Sequence, residues 1–234
     1  MLIKREQNHR EVSHIKAVIL DYGEVISIPP SSEKMASMAA VAGVLPDLFR
    51  SLYPTARAPY DRSDFTAATY WSNFADDAHV RLGSAQIAEL RRLDVEMWST
   101  VNPQMIRWLE SLSGAGLKTA LLSNMISDMA VHARETFRWL NKLTFHVLSC
   151  EVGLIKPDSA IYERCLEGLQ VTPSEALFVD DKQINVQAAR ALGITSIHFH
   201  SVGQLRNELA ALPFAILPSI SDEPLSDVSS IGMK

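Results

Sequence analysis

The chain has 234 residues, 47% of them hydrophobic and 21% charged, with a formal net charge of −5. That length accommodates one full α/β core plus a smaller accessory domain, and the mild acidity gives no electrostatic reason to expect nucleic acid or an anionic membrane as partner. No apolar run is long enough to span a bilayer. Residues 3–14 lack the apolar core of a signal peptide, and Cys150 and Cys165 have neither a CxxC spacing nor zinc partners, so reduced thiols and a cytoplasmic location are expected.

In chain order, the first predicted element is the apolar run Ile15-Lys16-Ala17-Val18-Ile19-Leu20, which stops at Asp21-Tyr22-Gly23-Glu24-Val25. Rich in β-branched residues, it reads as a buried strand of a parallel sheet. Pro29-Pro30 breaks the chain, and from about Ser31 to about Val101 the patterning is helical with little that reads as strand. Pro46 fits a first helical turn. Tyr70, Trp71 and Phe74 form an aromatic stripe at helical spacing, expected to be packing, as are Trp98 and Trp108. Ser84 is the predicted N-cap of a helix burying Ile87, Leu90, Leu93 and Met97.

Strands and helices then alternate. Asn102 caps a helix opened by Pro103 and ended by Gly114 and Gly116. A strand over 117–122 ends at Ser123-Asn124, and 145–148 forms a third strand. The loop Ile155-Lys156-Pro157 leads into a helix capped by Asp158, and Thr172-Pro173-Ser174-Glu175 is a capping box. The strand 176–179 ends at Asp180-Asp181, a helix runs to Leu192 and Gly193, and 195–199 is the last strand. This alternation predicts an α/β fold with a doubly wound parallel sheet.

Polar residues therefore stand at or just beyond the ends of four apolar stretches: Asp21, Ser123 with Asn124, Lys156, and Asp180 with Asp181. Parallel strands aim their carboxyl ends the same way, so these groups converge on one crevice. Their types suit phosphoryl transfer: a carboxylate attacks, a hydroxyl and a lysine hold phosphoryl oxygens, and further carboxylates hold Mg²⁺. Taken singly, each has a plainer use. Asp21 before a glycine starts turns, Ser123-Asn124 and Asp180-Asp181 cap helices, and Lys156 alone would be a solvated loop lysine.

Asp21-x-Gly-x-Val, Leu-Leu-Ser123-Asn124, Gly153-Leu-Ile-Lys156-Pro157 and Phe178-Val-Asp180-Asp181-x-x-x-Asn185-Val-x-Ala-Ala resemble, in order and spacing, the four motifs of the haloacid dehalogenase (HAD) superfamily. The resemblance covers about residues 15–199 and implies a HAD-like modified Rossmann core, 12–28 and 101–213, with an inserted helical C1 cap, 29–100; the Ser-, Asp- and Pro-rich composition from Pro218 predicts a flexible end at 218–234, and 1–11 is expected to be flexible as well. The resemblance also implies Asp21 as the nucleophile that forms an aspartyl-phosphate. Ser123 and Lys156 would bind the phosphoryl group with the backbone N–H groups of Tyr22, Gly23 and Asn124. Mg²⁺ would be held by Asp21, the Gly23 carbonyl and Asp181, with Asp180 as direct or indirect support. The expected activity is a Mg²⁺-dependent phosphatase acting on a small phosphorylated metabolite, a sugar phosphate among the candidates.

One position departs from the pattern. Family phosphatases usually carry an acid/base aspartate two residues after the nucleophile, where this chain has Gly23, and such a group is typically worth ~10²–10⁴-fold in rate. Glu24, Asp61 or His79 are candidates to replace it, and Tyr22, Tyr60, Asp61 and Arg62 are candidates for the mouth of the site. Two rivals stand beside the phosphatase. A non-catalytic protein that keeps the phosphate cradle would explain Gly23. A 2-haloacid dehalogenase would share the Ser-Asn pair, the Lys-Pro loop and a tyrosine like Tyr162, but its fourth motif generally lacks the acidic pair. Oligomeric state is not readable from the residues.

Overall fold

The computed structural model describes residues 15–212 and 217–221. Five parallel strands form one sheet: β1 (Ala17–Leu20), β2 (Lys118–Ser123), β3 (Phe145–Leu148), β4 (Ala176–Asp180) and β5 (Thr195–His198), in the spatial order β3-β2-β1-β4-β5. Ala17 pairs with Lys118 on one side and Ala176 on the other, so β1 is central and its C-terminal end lies between those of β2 and β4. The period-2 alternation of a strand splits its residues between two cores. Val18, Leu20, Leu121, Val179 and Ile197 face one of them, and Ala17, Ile19, Ala120, Leu122 and Phe178 the other. Both faces are apolar and buried, which is why these strands are continuous hydrophobic runs in the sequence.

After β1 the chain enters an insert of five helices: α1 (Ser32–Ala42), α2 (Pro46–Leu52), α3 (Arg57–Asp61), α4 (Ala67–Asp77) and α5 (Ser84–Trp98). The chain leaves for this insert and returns from it side by side. Ser27 and Val101 form an antiparallel bridge, Ile28 N–H donates to the Thr100 carbonyl at 2.8 Å, and Asn102 N–H donates to the Ile26 carbonyl at 2.7 Å. The aromatic stripe of α4 is buried as expected, with Phe49 and Phe74 ring centroids 5.1 Å apart and those of Tyr60 and Tyr70 4.5 Å apart. The N-cap of α5 is Gly83 rather than the expected Ser84. The Gln86 side chain accepts from Gly83 N–H at 3.0 Å, so a side chain three residues on reaches back to the cap without the serine hydroxyl.

The remaining helices, α6 (Pro103–Gly114), α7 (Ser127–Thr136), α8 (Ser149–Val152), α9 (Ser159–Leu169), α10 (Gln183–Ala191) and α11 (Val202–Ala211), flank the sheet. Asn102 caps α6 through its side chain, as the sequence predicts. The stretch between Ser123 and Lys156 holds, beside α7 and the predicted strand β3, a 3₁₀ turn (Arg138–Lys142) and the short α8. The capping box at Thr172 is present but opens a 3₁₀ turn (Pro173–Glu175) into β4. The expected flexible segment 1–11 and residues 222–234 lie outside the described residues. Residues 218–221, assigned to the same flexible end, are docked instead. Ile220 is buried, and the Pro218 carbonyl accepts from Trp108 Nε1 at 2.8 Å. Among the described residues no single helix is long and apolar enough to cross a membrane.

Candidate active site

Asp21 follows β1 directly, and its N–H donates to the Val179 carbonyl at 3.0 Å, which extends the ladder to β4 by one more bond. Ser123 is the last residue of β2 and Asp180 the last of β4. Register alone thus brings three of the predicted residues to one level. Lys156 comes from the loop after α8, and its place is set by Asn124. The Asn124 side chain pairs with the Lys156 peptide as a second backbone would: its Oδ1 accepts from Lys156 N–H at 2.9 Å and its Nδ2 donates to the Lys156 carbonyl at 3.0 Å.

So held, Lys156 extends its ammonium between Asp21 Oδ1 (2.8 Å) and Asp180 Oδ2 (2.7 Å). Asp180 also accepts from Lys182 N–H at 2.8 Å and from Asn185 Nδ2 at 3.0 Å. Its oxygens are thereby occupied by protein donors, which makes it the anchor of the lysine rather than an open metal ligand. Burial works to raise the Asp180 carboxyl, but Lys156 and these hydrogen bonds outweigh it and hold the group below its ordinary range. For Asp21 the balance is reversed. Burial pushes its pKa up to about 7, Lys156 pulls it down, and Asp180 and Asp181 add to the rise. Lys156 itself is raised, since its two carboxylates outweigh the desolvation that opposes them.

Asp21, Asp180 and Asp181 each offer a carboxylate oxygen within 4.8 Å of the others. Asp181 makes no ion pair among the described residues, and burial first, then Asp180, raises its carboxyl. Lys156 pairs directly with Asp21 and Asp180, while Lys182 and Lys156 act on Asp181 without forming an ion pair, so the acidic cluster keeps an open oxygen donor. Hard oxygen donors of this kind fit Mg²⁺, which takes few protein ligands and keeps its waters. Asp21 and Asp181 are the side chains placed to hold it. His198 Nε2 lies 2.8 Å from the Asp181 carbonyl and ties that turn to β5. The Tyr22 N–H, expected at the phosphate, donates to Asp21 Oδ1 at 2.7 Å.

Above these groups is a cavity of about 670 Å³. Its floor includes Asp21, Gly23, Ser123, Asn124 and Lys156, and its insert wall includes Met35, Tyr53, Arg57, Asp61 and Trp98. Asp61 therefore reaches the site, as entertained, whereas Tyr60 and Arg62 do not line it. His79 is exposed and away from the cavity, and Glu24 sits at its edge on an exposed left-handed turn with φ 57°. Trp98, expected to be mere packing, forms part of the wall. Its ring lies over Gly23, and a Cβ placed there would be 3.8 Å from Trp98 Cζ3.

The charged core of the insert was not anticipated. Arg57 donates to Asp94 Oδ2 at 2.8 Å and to Asp61 Oδ1 at 3.1 Å, with its guanidinium 4.8 Å from the Tyr53 ring centroid. Tyr53 hydroxyl donates to Asp94 Oδ1 at 2.6 Å. The signal was there in α5, where Leu90, Asp94 and Met97 share one buried face. An aspartate at helical spacing among apolar residues calls for a buried cation nearby.

Residues 74–199, more than half of the chain, match the family model of haloacid dehalogenase-like hydrolases. Among curated proteins, acyl-CoA dehydrogenase family member 10 of Mus musculus is 36% identical over 112 residues, 47% of this chain and 10% of that protein. Sesquiterpene phosphatase astK of Aspergillus oryzae is 30% identical over 95 residues, 41% of this chain and 48% of the phosphatase. The matched part of this chain thus spans less than half the length of either relative. Among solved structures, a HAD family enzyme of Bacteroides thetaiotaomicron in complex with magnesium and inorganic phosphate superposes with a TM-score of 0.64 at 18% identity, covering 82% of this chain and 98% of that one. L-2-haloacid dehalogenase of Xanthobacter autotrophicus with chloropropionic acid covalently bound gives 0.60 at 20% identity, covering 87% and 85%. At such identities the superpositions establish the fold.

Proposed function

The chain belongs to the haloacid dehalogenase-like hydrolases, and on that premise we propose that it is a Mg²⁺-dependent phosphatase acting through Asp21. The observation that carries this reading is the Asp181 carboxylate. It stands beside Asp21 and Asp180 and makes no ion pair among the described residues, whereas Lys156 is shared by the other two. A reaction at a carbon–halogen bond has no use for that extra negative charge. A phosphate dianion approaching Asp21 requires positive charge there. Bound Mg²⁺ would offset the repulsion between nucleophile and phosphoryl oxygens.

The chain's own residues do the rest. Asp21 Oδ1 is tied to Lys156 and to Tyr22 N–H, which leaves Oδ2 as the attacking atom. Ser123 and the Lys156 ammonium border the space where the phosphoryl oxygens gather charge, and both are preorganised by burial. The cavity wall favours an apolar organic part over a sugar. Met35, Trp98, Ile126 and Met129 line it, Arg57 is neutralised by two aspartates, and the amides of Asn124 and Asn185 are already engaged. The name of the Aspergillus relative agrees with an apolar alcohol as the leaving group. The substrate in this proposal is therefore a small phosphomonoester of an apolar alcohol, and the cytoplasmic location expected from two free cysteines is part of the same proposal.

The test is phosphate release from an alkyl phosphate and a hexose 1-phosphate, with Mg²⁺ and with chelator. Metal-dependent turnover that prefers the alkyl ester, abolished in Asp21→Asn with the fold intact, is the expected result. Turnover unchanged in Asp21→Asn would remove the mechanism. Binding of phosphate esters with no turnover of either would favour the non-catalytic rival, and chloride release from 2-haloacids would favour the dehalogenase.

A further inference from the structure

A group that protonates the leaving oxygen has to share the cavity with Asp21 and keep a free oxygen. Position 23 is a glycine and supplies none; a Cβ there would meet Trp98 Cζ3 in ordinary contact at 3.8 Å. Trp98 is fixed there by Tyr22, whose hydroxyl donates to the Trp98 carbonyl at 2.6 Å. Of the other carboxyls at the cavity, Asp181 stands beside the nucleophile and Glu24 is exposed at the rim.

Asp61 is placed differently. It ends α3, is 9% exposed, and uses only Oδ1 toward Arg57 Nε. Its Oδ2 has no partner among the described residues and is not among the sealed buried polar atoms, so it opens on the cavity that the residue lines. Its main chain is bolted to the core. Ser149 Oγ donates to the Asp61 carbonyl at 2.6 Å while accepting Met125 N–H at 2.8 Å, which couples this carboxyl to the loop carrying Ser123 and Asn124. The charged and titratable groups that act on it are Arg57 on its own helix, Asp94 on α5 and Lys182 after β4, and the Cys150 thiol of α8 feels its charge. Burial, with Asp94 and against Arg57, raises the Asp61 carboxyl above its ordinary range, the direction a proton donor needs.

We infer that Asp61 is the general acid and base of this site, supplying from the insert what position 23 lacks. The inference rests on the phosphatase reading. As Asp21 Oδ2 bonds to phosphorus, the bond from phosphorus to the organic oxygen breaks, and that oxygen takes the proton from the Asp61 carboxyl. The Asp61 carboxylate then takes a proton from water as the water oxygen attacks phosphorus. The bond from phosphorus to Asp21 breaks, inorganic phosphate leaves, and both side chains are restored.

Asp61→Asn keeps an acceptor for Arg57 Nε and removes the proton. With an alkyl phosphate, whose leaving oxygen needs protonation, kcat/KM should fall by ~10²–10⁴, and with p-nitrophenyl phosphate, whose leaving group needs none, by less than ~10-fold. The intact chain gives a second reading that requires no variant to fold. Its kcat/KM for the alkyl ester should decline on the alkaline side, where Asp61 loses its proton, while the value for the nitrophenyl ester stays level. Equal losses on both esters, no loss on the alkyl ester, or the same alkaline limb for both would overturn the assignment of Asp61 alone. An intact chain that releases phosphate from neither ester overturns the phosphatase reading, and this assignment with it.

Discussion

Replacing Lys156 by methionine strands two carboxylates in a pocket that a single ammonium now serves. The lysine side chain is 1% exposed, 2.8 Å from Asp21 and 2.7 Å from Asp180, and methionine roughly keeps its volume. Removing one member of a buried ion pair costs about 3–5 kcal/mol, and for a protein of this size each kcal/mol lowers the melting temperature by about 2–4 °C. The loss depends on pH with a definite sign. Burial raises Asp21 from 3.8 to about 7, so in that window the folded chain binds a proton that the unfolded chain does not. Its stability therefore falls as pH rises through the folded value. Without Lys156 the carboxyl moves further up, because the ammonium is the main influence holding it down. Between about pH 8 and about pH 6, a carboxyl titrating above the window returns about 2.7 kcal/mol, and one with its midpoint at about 7 roughly half as much. The gap between variant and wild type should thus shrink by about 1.3 kcal/mol on acidification. Urea unfolding of both chains in chelator at the two pH values measures it. A variant within about 1 kcal/mol of wild type at the higher pH, or a gap that holds or widens at the lower, would refute the reasoning.

Three other substitutions probe separate parts of the molecule. Asp181→Ala should raise the Mg²⁺ concentration needed for half-maximal activity by at least ~10-fold, about 1.4 kcal/mol of binding, and an unaltered titration would take Asp181 out of the metal site. Gly168→Ala should destabilise by about 1–3 kcal/mol despite the helix propensity it gains, since a Cβ there would lie 2.1 Å from Phe145 Cε1. A melting temperature equal to wild type would show that the β3–α9 contact yields. Gly23→Ala should leave stability within about 1 kcal/mol of wild type, because a Cβ there would lie 3.8 Å from Trp98 Cζ3, an ordinary van der Waals contact. A larger loss in urea unfolding would contradict that packing.

The floor of the site was readable because its residues stand where apolar runs stop. Asp21, Ser123 and Asp180 end strands whose register the sheet fixes, so convergence follows from parallel topology. The division of labour between Asp180 and Asp181 came from the resemblance alone, which left Asp180 open between direct and indirect support. Adjacent aspartates at a strand end point to opposite sides, and only the positions of Lys156 and Asn185 show which one is occupied. The insert wall was harder still. Arg57 and Asp61 belong to a five-residue helix too short to show a period, and Trp98 at the end of α5 has the same spacing whether it packs or lines a cavity. The docked tail shows the opposite failure. Its Ser-, Asp- and Pro-rich composition outweighed Ile220, whose burial holds 218–221 against the core.

The neck formed by Ser27 and Val101 has a consequence for engineering. Because the outgoing and returning strands of the neck are hydrogen-bonded to each other, everything beyond them is, to the sheet, one long hairpin loop. A chain end pair at that spacing accepts a tight turn or a foreign segment with little change in closure entropy. The nucleophile and the groups around it are therefore carried by the sheet ends, while much of the cavity wall, with Met35, Tyr53, Asp61 and Trp98, is carried by the insert. Under the assignment of Asp61, any segment transplanted at the neck would have to bring its own proton donor and its own partner for Ser149 Oγ.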